Sequence, residues 1–345
     1  MTRAIVVTVG ISLIQDQIEQ REGLGVGFEA LPGPAHNLRG LDEELKRADE
    51  SHLDAPFNPE EEAWREVRLK MVAALDRIGQ DHDMTLTPPQ RQQYLGAELA
   101  SLKCLGCERL EDAPEAETVG RPAWDRPLAA DDVVILLASD TAPGIFCARV
   151  IQEVLAAGRA GFPMIRQTQI QVATGLRPES REQFLAAGLP AAARILFDAQ
   201  QAHGAETLLI GSGGYKGLLP YLTPVAMHLG VPLLYLYEES SELLTIQPLP
   251  LTLDLTLLTN NESAFAKLAP DAGERRRPTC AERLFWLPIR KYHPEDEARI
   301  RAWGWVEPAD APGELRLSAT GVLAWLLAYH GYRPERPVDA RPAEA

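Results

Sequence analysis

The sequence predicts an α/β fold, in which a doubly wound parallel sheet carries a helical insertion and is followed by a small C-terminal α+β domain. Two observations support this class. Apolar, β-rich runs alternate with stretches of helical length over residues 131–238, as in successive βαβ units. The run AIVVTVGISLI (4–14) precedes them and has the continuous apolar character of a buried first strand.

The alternating units follow one another along the chain. GIFCARVIQEVLAAG (144–158) is predicted to be a helix that ends at its glycine, and residues 178–204 are predicted to hold one or two helices. A further helix is expected between the last two strands. The predicted strands with their loops are DDVVILLASDT (131–141), PMIRQTQIQV (163–172), ETLLIGSGG (206–214) and VPLLYLYE (231–238).

Composition also predicts the domain limits. Residues 1–255 are expected to form the sheet domain, with residues 28–130 as a helical and loop insertion. Residues 256–332 show the order helix, hairpin, helix, which is winged-helix-like but is shared by other small domains. The final stretch, 333–345, has the composition of a disordered tail.

The overall charge argues against non-specific nucleic-acid binding by the larger domain. The net charge is −15, and from Glu262 to the end 13 Lys and Arg balance 13 Asp and Glu, so the deficit lies in the first 261 residues. No apolar run reaches the roughly 20 residues of a membrane span, and the start lacks a cleavage signal. With only four cysteines, we expect a cytoplasmic protein that does not act at a membrane.

Three loops are the candidate ligand site, because ligands of open α/β sheets bind outside the carboxyl ends of the strands. They are VGIS (9–12), ASDTAPG (138–144) and GSGGYKG (211–217), and all offer small residues, hydroxyls and backbone N–H groups. The last two lead into helices, whose N-termini favour anions. Lys216 adds a positive charge suited to phosphate. The pattern therefore predicts a site for a small anionic ligand.

Two known nucleotide motifs fit the glycine loop poorly. It is no P-loop, because Gly217 and not Ser or Thr follows Lys216. A nicotinamide dinucleotide site, which would indicate an oxidoreductase, remains an alternative: Gly211, Gly213 and Gly217 are spaced G-x-G-x-x-x-G, and an acid follows at Glu238 or Glu239. The late position of this loop in the sheet and the lysine within it argue against that site. No cofactor is predicted.

The sequence patterns that would indicate a metal site or a nucleic-acid-binding surface are weak. Cys104 and Cys107 form a single C-x-x-C, and zinc needs a second pair, so we predict partly buried thiols and no metal. The basic stretch 275–291 leads into the C-terminal domain, where a solvated or interdomain face is favoured over a nucleic-acid contact.

Several spaced motifs are similar to one family. TVGISL at the first strand, AELASL before VVILLASDTAPG, and GSGGYKGLLPYLT followed by VPLLYLYEES resemble the CRISPR-associated Rossmann-fold (CARF) proteins of type III systems, over roughly residues 3–250. The resemblance implies a Rossmann-like sheet and a homodimer that binds a cyclic oligoadenylate, mostly cyclic tetra-adenylate, across its two-fold axis. Some members are ring nucleases that cleave this messenger without a metal, through attack by a ribose 2′-hydroxyl.

The resemblance also implies roles for individual residues. Ser12 and Lys216 match the serine and lysine that matter most in ring nucleases and are the candidate catalytic residues. Ser139, Asp140 and Thr141 are expected to hold ribose or adenine, and Gln167 or Gln169 to reach the ring. The remaining candidate ligand contacts belong to the first-strand and glycine loops: Val9, Gly10, Ile11, Ser212, Gly213, Gly214, Tyr215 and Gly217.

Other members of the family couple the sensor to an output domain. The R-x(4–6)-H motif of HEPN ribonucleases is absent after residue 250, and its two matches at 47–52 and 77–82 are interpreted as chance. We therefore expect a ring nuclease that switches off type III signalling. The alternative is a regulator that senses the ligand without cleaving it and acts through the winged-helix-like domain on DNA or a partner.

Overall fold

The fold is described by a computed structural model over residues 2–15, 38–51, 57–80, 95–106, 122–237 and 243–249, with short pieces of the C-terminal part at 300, 302, 305–308 and 315–317. The architecture is α/β, as predicted: a six-stranded sheet with helices on both faces. Within these residues, no helix is long and apolar enough to cross a membrane.

The sheet is parallel except at one edge. Its spatial order is β3-β2-β1-β4-β5-β6, and only β6 runs antiparallel, paired with β5. The sequence analysis did not predict β6. The strands are β1 Ala4–Val9, β2 Val133–Ser139, β3 Gln167–Ala173, β4 Thr207–Ile210, β5 Leu233–Leu236 and β6 Leu243–Ile246.

Strand β1 is central and every one of its residues is buried. It pairs with β2 on one side and β4 on the other, so that Val7 lies between Leu136 and Ile210. The strand is shorter than the apolar run 4–14 suggested. It ends at Val9, and the chain enters a short helix at Ser12. Apolar side chains alone could not separate this helix from the strand, since both are buried.

The helices form two layers. Those described are α1 Ser12–Gln15, α2 Leu38–Ser51, α3 Glu62–Gln80, α4 Ala97–Lys103, α5 Ala142–Ala156, α6 Arg181–Gln183, α7 Leu189–His203 and α8 Leu219–His228. A π-helical turn joins α6 to α7, so the predicted helical stretch is one continuous unit. The short turn 216–218 leads into α8.

Alternate residues of β1 face the two layers, as the two-residue period of a strand requires. Ile5 and Val7 lie in one apolar core with α2, α3, α4 and α5, whereas Val6 lies in the other with α7 and α8. Three of the helices in the first layer belong to the predicted insertion, 28–130. The insertion therefore supplies most of one face of the domain.

A buried ion pair closes the amino-terminal edge of β1 and β2. The guanidinium of Arg3 donates to both carboxylate oxygens of Asp132, and to the backbone oxygens of Ala123, Arg126 and Pro127 at 2.7 Å each. Both charged side chains are almost fully buried. Because each buried charge is paired and hydrogen-bonded, this cluster fixes the end of the insertion to the sheet.

Little of the C-terminal part lies within the described residues. The hairpin predicted within residues 256–332 is present as β7 Val306–Pro308 and β8 Leu315–Leu317, which pair antiparallel. The domain limit at 255, most of both flanking helices, the basic stretch 275–291 and the tail 333–345 lie outside them. Cys104 and Cys147 are buried free thiols, as expected for Cys104, whereas Cys107 lies outside the described residues.

Candidate functional site

The strand order creates a crevice between β1 and β4. After β1 the chain moves to β2 and β3 on one side, and then returns to place β4 on the other side of β1. This reversal is the topological switch point, outside whose carboxyl edge ligands of open α/β sheets bind. The loop after β1 (9–12) and the glycine loop (211–217) flank it, and the loop after β2 is the next neighbour.

The loop after β1 and the glycine loop are in direct backbone contact. The hydroxyl of Thr8, which is buried, donates to the backbone oxygen of Gly213 at 2.6 Å. A Cβ on Gly10 would stand 2.7 Å from the Cα of Gly214, and Gly214 has a φ of +85°. Only glycine meets both requirements, because a side chain would separate the loops or strain the turn. The glycines therefore serve close approach of two loops as well as a turn.

Glu98 joins three segments beneath these loops. It lies in the first turn of α4 and is fully buried. Its carboxylate accepts the backbone N–H of Gly10 at 2.9 Å and the hydroxyl of Ser12. It also lies against Gly213, where an added Cβ would stand 2.3 Å from Glu98 Oε1. A carboxylate thus occupies the inner end of the switch-point crevice.

Ser12 is held from two directions. Its hydroxyl donates to Glu98 and accepts the backbone N–H of Ala97 at 3.1 Å. The residue is 9% exposed and begins α1. Its side chain is therefore positioned by α4, an element of the insertion, and the first-strand loop and the insertion form one unit.

Apart from Ser12, the first-strand loop directs no polar side chain toward the crevice. Val9 is buried in the core below the sheet edge, and Ile11 packs against the same core. Gly10 presents its N–H to Glu98. A ligand at this loop would therefore meet main chain and the Ser12 hydroxyl.

The glycine loop holds Lys216 at the exposed edge of the crevice. Ser212 anchors the loop, since its hydroxyl accepts the backbone N–H of Leu236 at 2.7 Å. Tyr215 is half-exposed, and its ring makes an edge contact with Phe184 at 5.1 Å between centroids. Gly217 lies against the Tyr215 ring, where a Cβ would stand 2.5 Å from Cε1. Lys216 follows Tyr215, whose ring is held by these contacts, and is exposed to solvent.

The polar side chains of the loop after β2 are bonded to other groups of the protein. Thr141 is the N-cap of α5 and accepts the backbone N–H of Gly144 at 3.2 Å, while Ser139 Oγ lies 2.9 Å from Thr141 Oγ1. Asp140 accepts the N–H of Gly175 at 2.9 Å. These three predicted ribose or adenine contacts lie at the carboxyl edge, beside the first-strand loop.

The N-terminus of α5, predicted to favour an anion, receives a carboxylate of the protein. Asp49 of α2 accepts the backbone N–H of Ala142 at 2.8 Å and the guanidinium of Arg177 at 3.0 Å. At this helix N-terminus the anion is therefore a side chain of the insertion. Arg177 also lies 3.8 Å from Asp140, so the three groups link α2 to the loops after β2 and β3.

Gln167 and Gln169 lie apart from the other candidates. Gln167 is the first residue of edge strand β3 and pairs with Val133, and Gln169 is level with Ile135 in the middle of β2. At roughly 3.3 Å per residue, Gln167 is about 20 Å from the carboxyl end of its strand. Both side chains are exposed. The structure does not bring them to the crevice.

Glu98 is the site residue that the sequence analysis did not single out. In the sequence it stands inside the motif AELASL, residues 97–102. An acid inside a run of apolar residues is itself a signal, because a carboxylate is buried only where donors meet it. Among the described residues, no group of three or more His, Cys, Asp or Glu could hold a metal ion.

A family model matches part of the chain. Residues 115–249 match a family model described as CRISPR-associated protein (Cas_APE2256). This part of the chain is therefore similar to a CRISPR-associated family, which confirms the association predicted from the motifs. The match includes Lys216 and the loops after β2 and β4, whereas Ser12 and Glu98 precede it. No curated protein matches the chain.

Proposed function

We propose that two copies of this chain bind one cyclic oligoadenylate, with cyclic tetra-adenylate as the leading candidate, and cleave it without a metal. The observation that carries the proposal is the pairing of the Ser12 loop with the Lys216 loop at the switch point of a sheet. Residues 115–249 match a family model described as CRISPR-associated protein. Cleavage would end the signal that activates type III defence.

The charges and shapes at the crevice favour this ligand class. Each phosphodiester of a cyclic oligoadenylate carries one negative charge, and Lys216 is an exposed cation at the crevice. A cyclic ligand has rotational symmetry, and a two-fold dimer would offer it two copies of each loop.

The proposed reaction uses a nucleophile from the ligand. A ribose 2′-oxygen attacks the adjacent phosphorus, the bond from phosphorus to the 5′-oxygen breaks, and the product carries a 2′,3′-cyclic phosphate. The protein needs only to align the attack and to stabilise charge on the phosphoryl oxygens. Ser12 would position the reacting groups, and the ammonium of Lys216 would lie against the developing charge.

Labelled cyclic tetra-adenylate in EDTA tests the proposal. We expect linear products with a 2′,3′-cyclic phosphate. Lys216→Ala should weaken both binding and cleavage, and Ser12→Ala should slow cleavage more than it lowers affinity. Lys70→Ala, which removes an exposed lysine of α3, is the matched control and should behave as wild type. Absence of heat with any cyclic adenylate would overturn the proposal.

A sensor without cleavage is the second candidate, and the described hairpin of β7 and β8 favours it as a wing-like element. In that case the ring would stay bound and intact for hours at excess protein. A mobility shift on the promoter of its own gene, measured at physiological salt, would then test DNA as the partner, since low salt exaggerates electrostatic binding.

A further inference from the structure

The buried carboxylate of Glu98 fixes the direction of the Ser12 hydroxyl. A hydroxyl has one proton to donate and two lone pairs to accept. The single proton of Ser12 is donated to Glu98, while the N–H of Ala97 donates to its oxygen. Toward any third group, the Ser12 oxygen can therefore act only as an acceptor.

The direction of the Ser12 hydrogen bond distinguishes two roles for this residue, contact with the scissile phosphate and contact with the attacking 2′-hydroxyl. A phosphate oxygen at neutral pH accepts hydrogen bonds, so a serine that positioned the phosphate would have to donate. A ribose 2′-hydroxyl can donate. The hydrogen bond to Glu98 thus favours a contact between Ser12 and the attacking hydroxyl over one with the scissile phosphate.

We infer that Glu98 is a positioning residue for the proposed cleavage, which acts through Ser12 and takes up the proton of the attacking 2′-hydroxyl by way of that serine. The inference rests on the proposed function. It extends that proposal by giving the site a proton acceptor, a role that general-base catalysis requires and that commonly contributes about 10²- to 10⁴-fold to rate.

The proton transfers balance without a cofactor. As the 2′-oxygen bonds to phosphorus, its proton passes to Ser12 Oγ, and the original proton of Ser12 passes to Glu98. The bond from phosphorus to the 5′-oxygen breaks, and that oxygen takes a proton from water. Glu98 then returns its proton to solvent, so that no net proton is consumed and nothing is oxidised or reduced.

Glu98 also connects this chemistry to the glycine loop. Its carboxylate lies where a Cβ of Gly213 would stand, and it holds the N–H of Gly10. One side chain therefore sets the Ser12 hydroxyl and the spacing of both loops. A residue of the insertion thereby takes part in a site whose other parts lie on the sheet.

The test compares affinity with single-turnover cleavage of cyclic tetra-adenylate. In Glu98→Gln the amide oxygen can accept from Gly10, but the amide NH₂ then donates to Ser12 and turns its proton outward. We expect affinity within about threefold of wild type and cleavage about 100-fold slower. The double variant with Ser12→Ala should be no slower than Ser12→Ala alone, because the two residues act as a unit.

Ser101→Ala is the matched control, since this buried hydroxyl of α4 donates to the backbone oxygen of Ala97 at 2.6 Å, away from the crevice. It should bind and cleave as wild type. Should Glu98→Gln not fold, Glu98→Asp withdraws the carboxylate by one methylene and is expected to slow cleavage at least tenfold with little change in affinity.

The outcomes separate the two proposals. Wild-type cleavage rates in the Glu98 variants, or affinity that falls in parallel with rate, would overturn the inference and leave the proposed cleavage standing. An intact ring after incubation with the wild-type protein would overturn both.

Discussion

The backbones of Gly10 and Gly214 meet so closely that a Cβ on Gly10 would stand 2.7 Å from the Gly214 Cα. Gly10→Ala should therefore force the first-strand loop and the glycine loop apart. We expect a loss of about 1–3 kcal/mol in the free energy of unfolding, as for other overpacked sites. Affinity for cyclic tetra-adenylate should fall at least tenfold. Urea denaturation and calorimetry measure the two effects.

Gly230→Ala is the matched control for that substitution. Gly230 has a φ of +68° after α8, and open space surrounds its missing Cβ. The variant should lose about 1–2 kcal/mol through backbone strain alone and bind the ligand as wild type. If both variants bound normally, contact between the loops would not matter for the ligand.

Arg3→Met should strongly destabilise the domain. The substitution leaves Asp132 as a buried charge without the guanidinium that donates to both its oxygens. Breaking a buried pair in this way costs about 3–5 kcal/mol. The midpoint of urea unfolding reports the change.

Arg194→Met provides the comparison for the ion pair. Arg194 and Asp198 form an i,i+4 pair on α7 with both side chains about half-exposed. Such pairs contribute about 0.3–0.5 kcal/mol. If the two arginine variants lost the same free energy of unfolding, the Arg3 cluster would not fix the insertion to the sheet.

Asp49→Ala should loosen the insertion from the loop after β2. The change removes the acceptor of the Ala142 N–H at the start of α5 and one partner of Arg177. An expected loss of about 1–3 kcal/mol follows from leaving a partly buried donor unsatisfied. Glu43→Ala, at an exposed pair on the same helix, should change stability by less than about 0.5 kcal/mol. Thermal or urea unfolding compares the two.

The free energy of unfolding should decrease as the pH is lowered, and His228 should contribute to this decrease. Burial lowers the pKa of His228 below its usual 6.5. In the unfolded chain this residue binds a proton as pH falls through 6.5, while in the folded chain it stays neutral to lower pH, so acid favours unfolding. His228→Gln should reduce the loss of unfolding free energy between pH 7.5 and pH 5.5. An unchanged difference would exclude this residue as a contributor.

Strands β1, β2, β4 and β5 were predictable because each carries a run of apolar residues bounded by small or polar ones. Apolar runs did not predict the limits of an element where the local pattern fits both a strand and a helix. Gly10 ends β1 although Ile11, Leu13 and Ile14 continue the apolar run. Strand β6 was missed because it is only four residues long and lies at an edge, where its burial is partial.

For the candidate site, the sequence located the loops but not their partners. The meeting of the first-strand loop with the glycine loop follows from strand order, which a repeating α/β pattern implies. The contacts of Glu98 and Asp49 do not follow, because each reaches the sheet from the insertion across a long stretch of sequence. Gln167 and Gln169 were candidates through the family resemblance, whereas register puts them at the start and middle of β3.

The position of β1 has a consequence for how the chain folds. Ala4 pairs with Val133 and with Thr207, so the central strand is synthesised long before either neighbour exists. Contacts so distant in sequence slow folding, because loop closure must precede the gain from pairing. An apolar segment would wait, unpaired, while the insertion emerges from the ribosome. The helices of that insertion share a core with Ile5 and Val7, so they can cover the apolar side of β1 during translation.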